Sequence, residues 1–280
     1  MGNIKLSKII SGVMKVLLYF ILTIGVIIVL IPFLWMLVTA FKPYTEMFKL
    51  PISFLPKNPT LQNFVELAHT FPLSRLFFNS FFIAGVACAS SVFFATMVGY
   101  GLAKFRSRGL NIIFLILLSS IMVPDFTRVI PLYLTMVRLK GDNTYWGVII
   151  VNYLSIFGIF LMRQYAMAIP EELLDAARID GASEPRILMK IAFPLLRPAC
   201  VTLLVIKFMW VWNDFLWPLV MLREPKMMTL PIALSSLKGL QVIRYGPLMA
   251  GAVAIVIPVA VLFLFLQKYI VRGIALTGFK

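Results

Sequence analysis

Few side chains in this 280-residue chain could carry acid–base, nucleophilic or metal chemistry. It has 11 Asp and Glu residues, one histidine (His69) and two cysteines, Cys88 and Cys200. The cysteines lie far apart in apolar segments, which predicts packing roles and neither a disulfide nor a metal site. The phosphate-binding motif G-x-x-x-x-G-K-[ST] does not occur in the sequence, nor do H-E-x-x-H or G-x-S-x-G. We therefore predict that the chain is not an enzyme and binds no cofactor or metal itself.

Four polar residues that could line a path for a solute lie in stretches that are otherwise apolar. Lys207 and Asp214 are seven residues apart and would share one face of a continuous helix. A charge held at the centre of a bilayer costs roughly 2.5–3.5 kcal/mol. These two residues and the adjacent Asn213 are candidates for a polar path. The alternative is that Asp214 snorkels near the outer edge of the membrane and Lys207 pairs with a neighbouring helix. Asn152, in an earlier stretch, has the same two interpretations, and a hydrogen bond between helices is favoured.

Three tryptophans, Trp210, Trp212 and Trp217, surround this charged pair. Their rings could stack on sugar rings, but tryptophan also concentrates at the two membrane–water interfaces. The interfacial interpretation is favoured.

The composition indicates that these residues are positioned by helices in a lipid bilayer. The chain is 61% hydrophobic and only 13% charged, with a mean hydropathy of +0.97. A soluble domain would have nearer a quarter of charged residues. The net charge of +15 would suggest nucleic acid in a soluble protein. Here most basic residues lie in short stretches between apolar runs, so we expect contact with membrane lipid and not with nucleic acid.

Six stretches are long enough to cross the hydrocarbon core, which takes about 20 apolar residues. We therefore predict an all-α, polytopic membrane helical bundle that forms one transmembrane domain over residues 1–280. Pro124, Asp125, Arg128 and Pro131 interrupt the third stretch, which predicts a broken helix there. Small residues four apart in the second stretch, at Ala95, Gly99 and Ala103 and again at Gly85 and Ala89, predict close helix packing. The predicted spans are 13–40, 77–103, 110–134, 145–167, 199–222 and 247–271.

The basic residues favour an orientation in which both termini are cytoplasmic. Short loops carry most of the orientation signal. The turn at 104–108 contains Lys104, Arg106 and Arg108, and it is more basic than the turn at 138–142. We therefore expect an N-in, C-in protein of a bacterial or archaeal cell membrane.

The segment between spans four and five, residues 169–198, predicts a helix-turn-helix. Pro170 suits the start of a helix, Gly181 can adopt positive φ at the turn, and Ser183 is a candidate N-cap. The helical period places Ile187, Leu188, Ile191 and Leu195 on one face of the second helix. Such a hairpin either rests on lipid or on its own helices, or presents a surface to a partner. Its five acidic residues argue against an anionic lipid surface.

The run DAARIDGASEPRILMKIAFPLLRP, residues 175–198, resembles the cytoplasmic EAA loop of ABC-importer permeases. That pattern is Glu-Ala-Ala, then a glycine, then Ile-x-Leu-Pro some ten residues later. Asp175 replaces the glutamate and Phe193 the leucine, which keeps charge and bulk respectively. The residues that match the motif, and that the resemblance implies couple to an ATPase, are Asp175, Ala176, Ala177, Asp180, Gly181, Ile191 and Pro194.

Other stretches, at 123–150, 152–165, 212–234 and 257–280, resemble the carbohydrate, or maltose-type, branch of these permeases. The resemblance implies a permease for a sugar or oligosaccharide that forms half of the translocation path. It also implies a second related permease in a heterodimer, two ATP-binding subunits that hold ATP and Mg, and an extracytoplasmic solute-binding protein.

Two further segments receive roles from the resemblance. The loop at 223–246 is expected to reach the binding protein, so shortening it at 229–239 should leave ATPase assembly intact and abolish stimulation by the binding protein. The tail at 272–280 is expected to contact the ATPase pair.

Three alternatives stay open. An ABC importer could carry a solute other than a sugar, and a gradient-driven secondary transporter would lack an ATPase partner. A membrane-embedded enzyme would need convergent carboxylates, for which only Asp125 and Asp214 are available in or near the spans.

Overall fold

The computed structural model describes residues 2–105, 107–238 and 244–277, and the regular elements in those ranges are all helices. A 3₁₀ turn extends α5 over Ser120–Met122, another lies at Pro225–Met227, and a π turn joins α10 to α11 over Leu188–Ala192. The helices are α1 Gly2–Ala40, α2 Tyr44–Met47, α3 Gln62–Thr70, α4 Leu73–Lys104, α5 Arg108–Ser119, α6 Asp125–Arg138, α7 Tyr145–Asn152, α8 Ile156–Met167, α9 Glu171–Ile179, α10 Glu184–Ile187, α11 Phe193–Trp212, α12 Leu216–Met221, α13 Leu230–Ser235 and α14 Tyr245–Thr277.

Within the described residues, five helical segments are long and apolar enough to cross a membrane, and a bent pair makes a sixth. The bent pair consists of Arg108–Met122 and Asp125–Arg138, which meet at 104°. The break falls at Pro124, where the interruption of the third apolar stretch predicted it. The segment Tyr145–Met167 counts as one span although α7 and α8 are separated by three residues. The all-helical polytopic fold is therefore confirmed.

The chain forms two compact units, and the first comprises 1–71 and 237–254. Its folded part surrounds Asn63, whose amide donates hydrogen bonds to the carbonyls of Ala40 and Lys42, each at 2.8 Å. An ion pair joins Arg244 to Glu66. Over residues 12–40 of α1, where burial is described, only Thr39 and Ala40 are buried.

The second unit comprises 72–236 and 255–280, and α4 is its central helix. Helix α4 packs mainly against α8 and α11. A Cβ on Gly99 would lie 2.6 Å from the Cβ of Met162 and 2.9 Å from the backbone nitrogen of Arg163, so only glycine permits this approach of α4 to α8. Among the small residues predicted to permit close helix packing, Ala95 and Gly99 of α4 do so. Gly85 does not, because it has open space around it.

The fifth span differs from its prediction. The helix that was predicted to continue over 199–222 ends at Trp212, and the short helix α12 begins at Leu216. Residues 213–215 form the connection between the two helices, and Asp214 therefore does not share a helix face with Lys207.

A hydrophobic core cluster of the second unit lies where α4, α8 and α11 meet the segment 169–198. Tyr100 of α4, Met162 of α8 and Leu203 of α11 belong to it. The same cluster continues into the hairpin through Leu174 and Ile187. The hairpin is thus an extension of the bundle core and not a mobile appendage.

Candidate functional site

The segment 169–198 folds as the predicted helix-turn-helix. Helix α9 ends in a Schellman motif, in which the amide of Ala182 donates to the carbonyl of Ala177 at 2.9 Å and that of Gly181 to Arg178 at 3.0 Å. This motif requires positive φ at the residue after the cap, and Gly181 has φ +80°. Ser183 occupies the N-cap position of α10, although its side chain makes no capping bond.

The inner face of the hairpin packs on the membrane helices. Leu174, Ala177 and Ile187 are buried in the core cluster, and Ile191 is half-buried against it. Ala177 therefore points into its own protein and is not available to a partner. The structure gives Ala177 a packing role, and its part in coupling stays a prediction.

A π turn sets the register between the hairpin and the fifth span. The buried positions run from Ile187 to Ala192 and then to Leu196, a step of five residues followed by a step of four. The π turn over Leu188–Ala192 supplies the additional residue. The α-helical period had placed Leu195 on the buried face, but it is half exposed, and Leu196 is buried in its place.

Arg178 closes the hairpin across its turn. Its guanidinium donates to Asp175 within α9 and to Glu184 at the start of α10, both at 2.7 Å. The hydrogen bonds to Glu184 and Asp175 raise the pKa of Arg178 above its ordinary value. Asp175, the first residue of the motif, thus belongs to an ion-pair network that holds the two short helices together.

Lys104 fastens the start of the hairpin to the end of α4. Its side chain is only 2% exposed, and its ammonium group donates to the carbonyl of Ile169 at 2.6 Å and to Glu171 at 3.1 Å. A buried ammonium group needs such partners, because an unpaired charge in this position would be very costly. Movement of the α8–α9 connection is therefore tied directly to α4.

The outer face of the hairpin is exposed in the described chain. Ile179 is 87% exposed, and Leu173 and Met189 are also large exposed apolar residues. Five of the motif residues are exposed as well: Asp175, Ala176, Asp180, Gly181 and Pro194. The predicted set is therefore divided between an inner face, with Ala177 and Ile191, and an outer face that could receive a partner.

Lys207 pairs with Asn152 between two membrane helices. The ammonium of Lys207 donates to the Asn152 side-chain oxygen at 3.0 Å, and the Asn152 amide donates to the Val148 carbonyl at 3.3 Å. Lys207 is 6% exposed. Of the two interpretations of Lys207, the structure favours the one in which a neighbouring helix holds it. Asn152 has the expected role between helices.

Asn213 and Asp214 lie in the connection between α11 and α12. The Asn213 side chain donates to the Met209 carbonyl at 2.8 Å, and Asp214 accepts a hydrogen bond from the Trp217 amide at 3.4 Å. Each side chain thus bonds to the backbone of an adjacent helix. A role for them in the translocation path stays a prediction.

The tryptophans Trp212 and Trp217 are core residues and not interfacial anchors. Trp212 is 1% exposed, and its indole donates to the Ile255 carbonyl at 3.1 Å. Trp217 donates to the Gly147 carbonyl at 3.3 Å. The interfacial interpretation was wrong for these two because each indole N–H has a backbone partner inside the unit. Trp210 is exposed and contacts Phe157.

The first part of the loop at 223–246 is folded against α4. Asn79 donates to the carbonyls of Lys226 and Met228 at 2.9 and 2.8 Å, and the Ser80 hydroxyl accepts from the Leu230 amide. Helix α13 is largely buried. Shortening at 229–239 would remove this buried helix, so it cannot test a contact with a binding protein. Residues 239–243 lie outside the described residues.

The tail at 272–280 stays a prediction. The backbone of α14 continues to Thr277, and residues 278–280 lie outside the part of the chain that the structure describes.

Comparison with known proteins decides the family. A family model described as "Binding-protein-dependent transport system inner membrane component" matches residues 91–276, which include the whole hairpin. The chain belongs to this family. It is therefore a permease component of a transport system and a multi-pass protein of the cytoplasmic membrane, as the resemblance predicted.

Curated relatives align with the permease over nearly its whole length. One is the arabinooligosaccharides transport system permease protein AraQ of Halalkalibacterium halodurans, 37% identical over 94% of this chain and 97% of the relative. The AraQ protein of Bacillus subtilis is 36% identical over 90% of each chain. A chain of a bacterial ABC transporter involved in alginate import has the same fold, with a TM-score of 0.81, 24% identity, and coverage of 92% of the permease and 96% of that chain.

Sequence reasoning missed the contacts of two residues that hold the hairpin, Lys104 of α4 and Arg178 of α9. Both were interpreted only as part of the orientation signal. Both lie outside the motif residues, and their partners are far enough away in sequence that spacing could not reveal them. The exception is Asp175, three residues before Arg178, which is a spacing that permits a helical ion pair.

Proposed function

We propose that the permease carries a sugar or oligosaccharide that an extracytoplasmic binding protein delivers. In this proposal it forms half of the translocation path, beside a second, related permease, and works with two ATP-binding subunits that hold ATP and Mg. The names of the relatives support the carbohydrate class, since AraQ is named for arabinooligosaccharides. The proposed orientation is N-in and C-in, which puts the hairpin in the cytoplasm.

The hairpin is the proposed coupling element, and the observation that supports this most is its division into two faces. The inner face is continuous with the bundle core through Leu174 and Ile187, and Lys104 ties it to α4. The outer face presents Ile179, an apolar side chain that is almost fully exposed at the turn. A partner that moves the outer face therefore moves the membrane helices as well, because the inner contacts are tightly packed.

The experiment compares two Ile→Asp variants of the assembled transporter. Ile179→Asp places a charge in the proposed contact, and we expect loss of ATPase co-purification with normal insertion. Ile52→Asp is the matched control, because Ile52 is also a strongly exposed isoleucine, but it lies in the segment predicted to be outside. If Ile179→Asp retains the ATPase subunits and transports like the parent, the hairpin is not the coupling element.

The solute is tested separately. In the complete complex with its binding protein, a panel of oligosaccharides should include one that stimulates ATP hydrolysis. The permease alone, free of other subunits, should not turn over ATP. If no oligosaccharide stimulates ATP hydrolysis but a solute other than a sugar does, the carbohydrate assignment is contradicted. The permease family is unchanged by that result.

A further inference from the structure

We propose that the permease binds the phosphate group of an anionic phospholipid in a groove between the α4–α5 turn and α8. The groove has a volume of about 400 Å³, within the range of about 300–1,000 Å³ that is typical of ligand pockets. Its polar wall consists of Arg108, Asn111, Arg163 and Ser107, and its apolar wall includes Leu102 and Phe105. It lies at the end of the bundle that carries the hairpin, since Lys104 belongs to the same end of α4.

Arg163 is held in place before any ligand arrives. Its Nε donates to the Leu102 carbonyl at 3.3 Å, and the guanidinium carbon lies 4.2 Å from the centre of the Phe114 ring. These contacts use one of the five N–H donors of arginine and fix the plane of the group. The terminal nitrogens retain the donors that form paired hydrogen bonds with phosphate oxygens.

The groove carries positive charge that no acidic side chain balances. Within the described ranges, no ion pair joins Arg163 or Arg108 to a carboxylate, and the groove lining contains no Asp or Glu. The Ser107 hydroxyl and the Asn111 amide add uncharged donors to the same wall. Two cations with additional donors form a site for an anion, and phosphate accepts from all of these groups.

The position of the groove favours a lipid as the source of the phosphate. Immediately after Asn111, α5 exposes Ile112, Ile113 and Leu115, so a headgroup in the groove would have its acyl chains beside an apolar helix surface. Basic pockets between membrane helices on the cytoplasmic side bind anionic headgroups. This step rests on the proposed N-in orientation, which places the α4–α5 turn at the cytoplasmic leaflet.

The test measures lipid binding to the full-length permease by native mass spectrometry. The probes are phosphatidylglycerol, phosphatidylcholine and inorganic phosphate as a competitor. We expect Arg163→Gln and, separately, Arg108→Gln to weaken phosphatidylglycerol binding about fivefold, which is the effect of one basic residue near an anionic surface. Arg138→Gln is the matched control, an exposed arginine at the end of another helix.

Each outcome decides the proposal. Phosphatidylglycerol binding that is unchanged in both groove variants, or that Arg138→Gln weakens equally, overturns the site. Equal binding of phosphatidylcholine overturns the requirement for an anion, and displacement by millimolar inorganic phosphate overturns the lipid as the source. Because Arg163 also packs on Phe114, Arg108→Gln decides the matter if Arg163→Gln does not fold. The measurement requires no ATPase subunit, so it stays separate from the test of coupling.

Discussion

Lys104 is the residue through which a change at the hairpin reaches α4. Lys104→Met keeps the length of the side chain and removes its ammonium group, which leaves the Ile169 carbonyl without its partner. We expect a loss of about 1–3 kcal/mol in stability, the usual cost of an orphaned buried polar group. We also expect less solute imported per ATP hydrolysed. The measurements are thermal unfolding of the purified permease and uptake by the reconstituted complex.

Lys49→Met is the control for this substitution, because Lys49 is exposed in a loop of the first unit. It should unfold and transport like the parent. Normal unfolding and normal uptake in Lys104→Met would show that the bonds of Lys104 neither stabilise the permease nor couple the hairpin to α4.

The pair of Lys207 and Asn152 should respond asymmetrically to mutation. Lys207→Met removes a buried charge together with its desolvation cost, which offsets the loss of the donor to the Asn152 side-chain oxygen, so we expect little net change in stability. Asn152→Leu leaves the lysine without its acceptor and should cost about 1–3 kcal/mol. Thermal unfolding of the two variants makes the comparison.

Transport by Lys207→Met distinguishes packing from a role in the path. If the side chain is held between helices as the 3.0 Å bond indicates, uptake should persist. Abolished uptake in a stable protein would return Lys207 to the translocation path.

At the scale of elements, substitutions of Gly181 distinguish strain in the backbone of the permease from a clash with the ATPase surface. A Cβ at this position meets no atom within 4 Å in this chain, so the cost inside the permease is conformational. A β-branched residue at φ +80° is strained by about 1–2 kcal/mol, whereas asparagine tolerates this region. We therefore expect Gly181→Val to lose ATPase co-purification and uptake, and Gly181→Asn to keep both.

The same pair of variants reports on the partner surface. If Gly181→Asn fails as completely as Gly181→Val while both insert normally, the ATPase surface approaches the turn too closely for any side chain.

Enlarging Ala177 to Leu should destabilise the permease itself, because the larger side chain overpacks its core at a cost of about 1–3 kcal/mol. Its effect should appear in unfolding and not only in docking.

The helices of this permease could be predicted from sequence where local pattern decides them. The lengths of the apolar stretches predicted the spans, Pro124 predicted the bend in the third span, and Gly181 predicted the turn of the hairpin. The π turn before α11 could not be predicted, because the five-residue step depends on how Ile187 and Leu196 pack against other helices. The burial of Trp212 was missed for the same reason, since its partner, the Ile255 carbonyl, is distant in sequence.

At the scale of the whole molecule, cysteine labelling tests the proposed orientation. The native cysteines are buried and free, so they give little background with a maleimide that cannot cross membranes. Ile52→Cys should react in intact cells, and Ile179→Cys should react only after permeabilisation. Both positions are strongly exposed, and Gly12→Cys should follow Ile179→Cys. Labelling of Ile179→Cys from outside would reverse the topology.

Helix α1 has a consequence for how the protein is made. No residue in the most apolar window of its span is buried by the rest of the described chain, ring contacts begin at Trp35, which packs on Phe54, and full burial begins only at Thr39 and Ala40. It is synthesised before every helix that could pack on it, and its mean hydropathy of 2.9 over that window makes transfer into lipid favourable without help. The first span can thus leave the translocon and equilibrate with the bilayer while the remainder is still being translated. Replacement of 13–33 by an unrelated apolar sequence of equal length should leave the later steps of biogenesis intact.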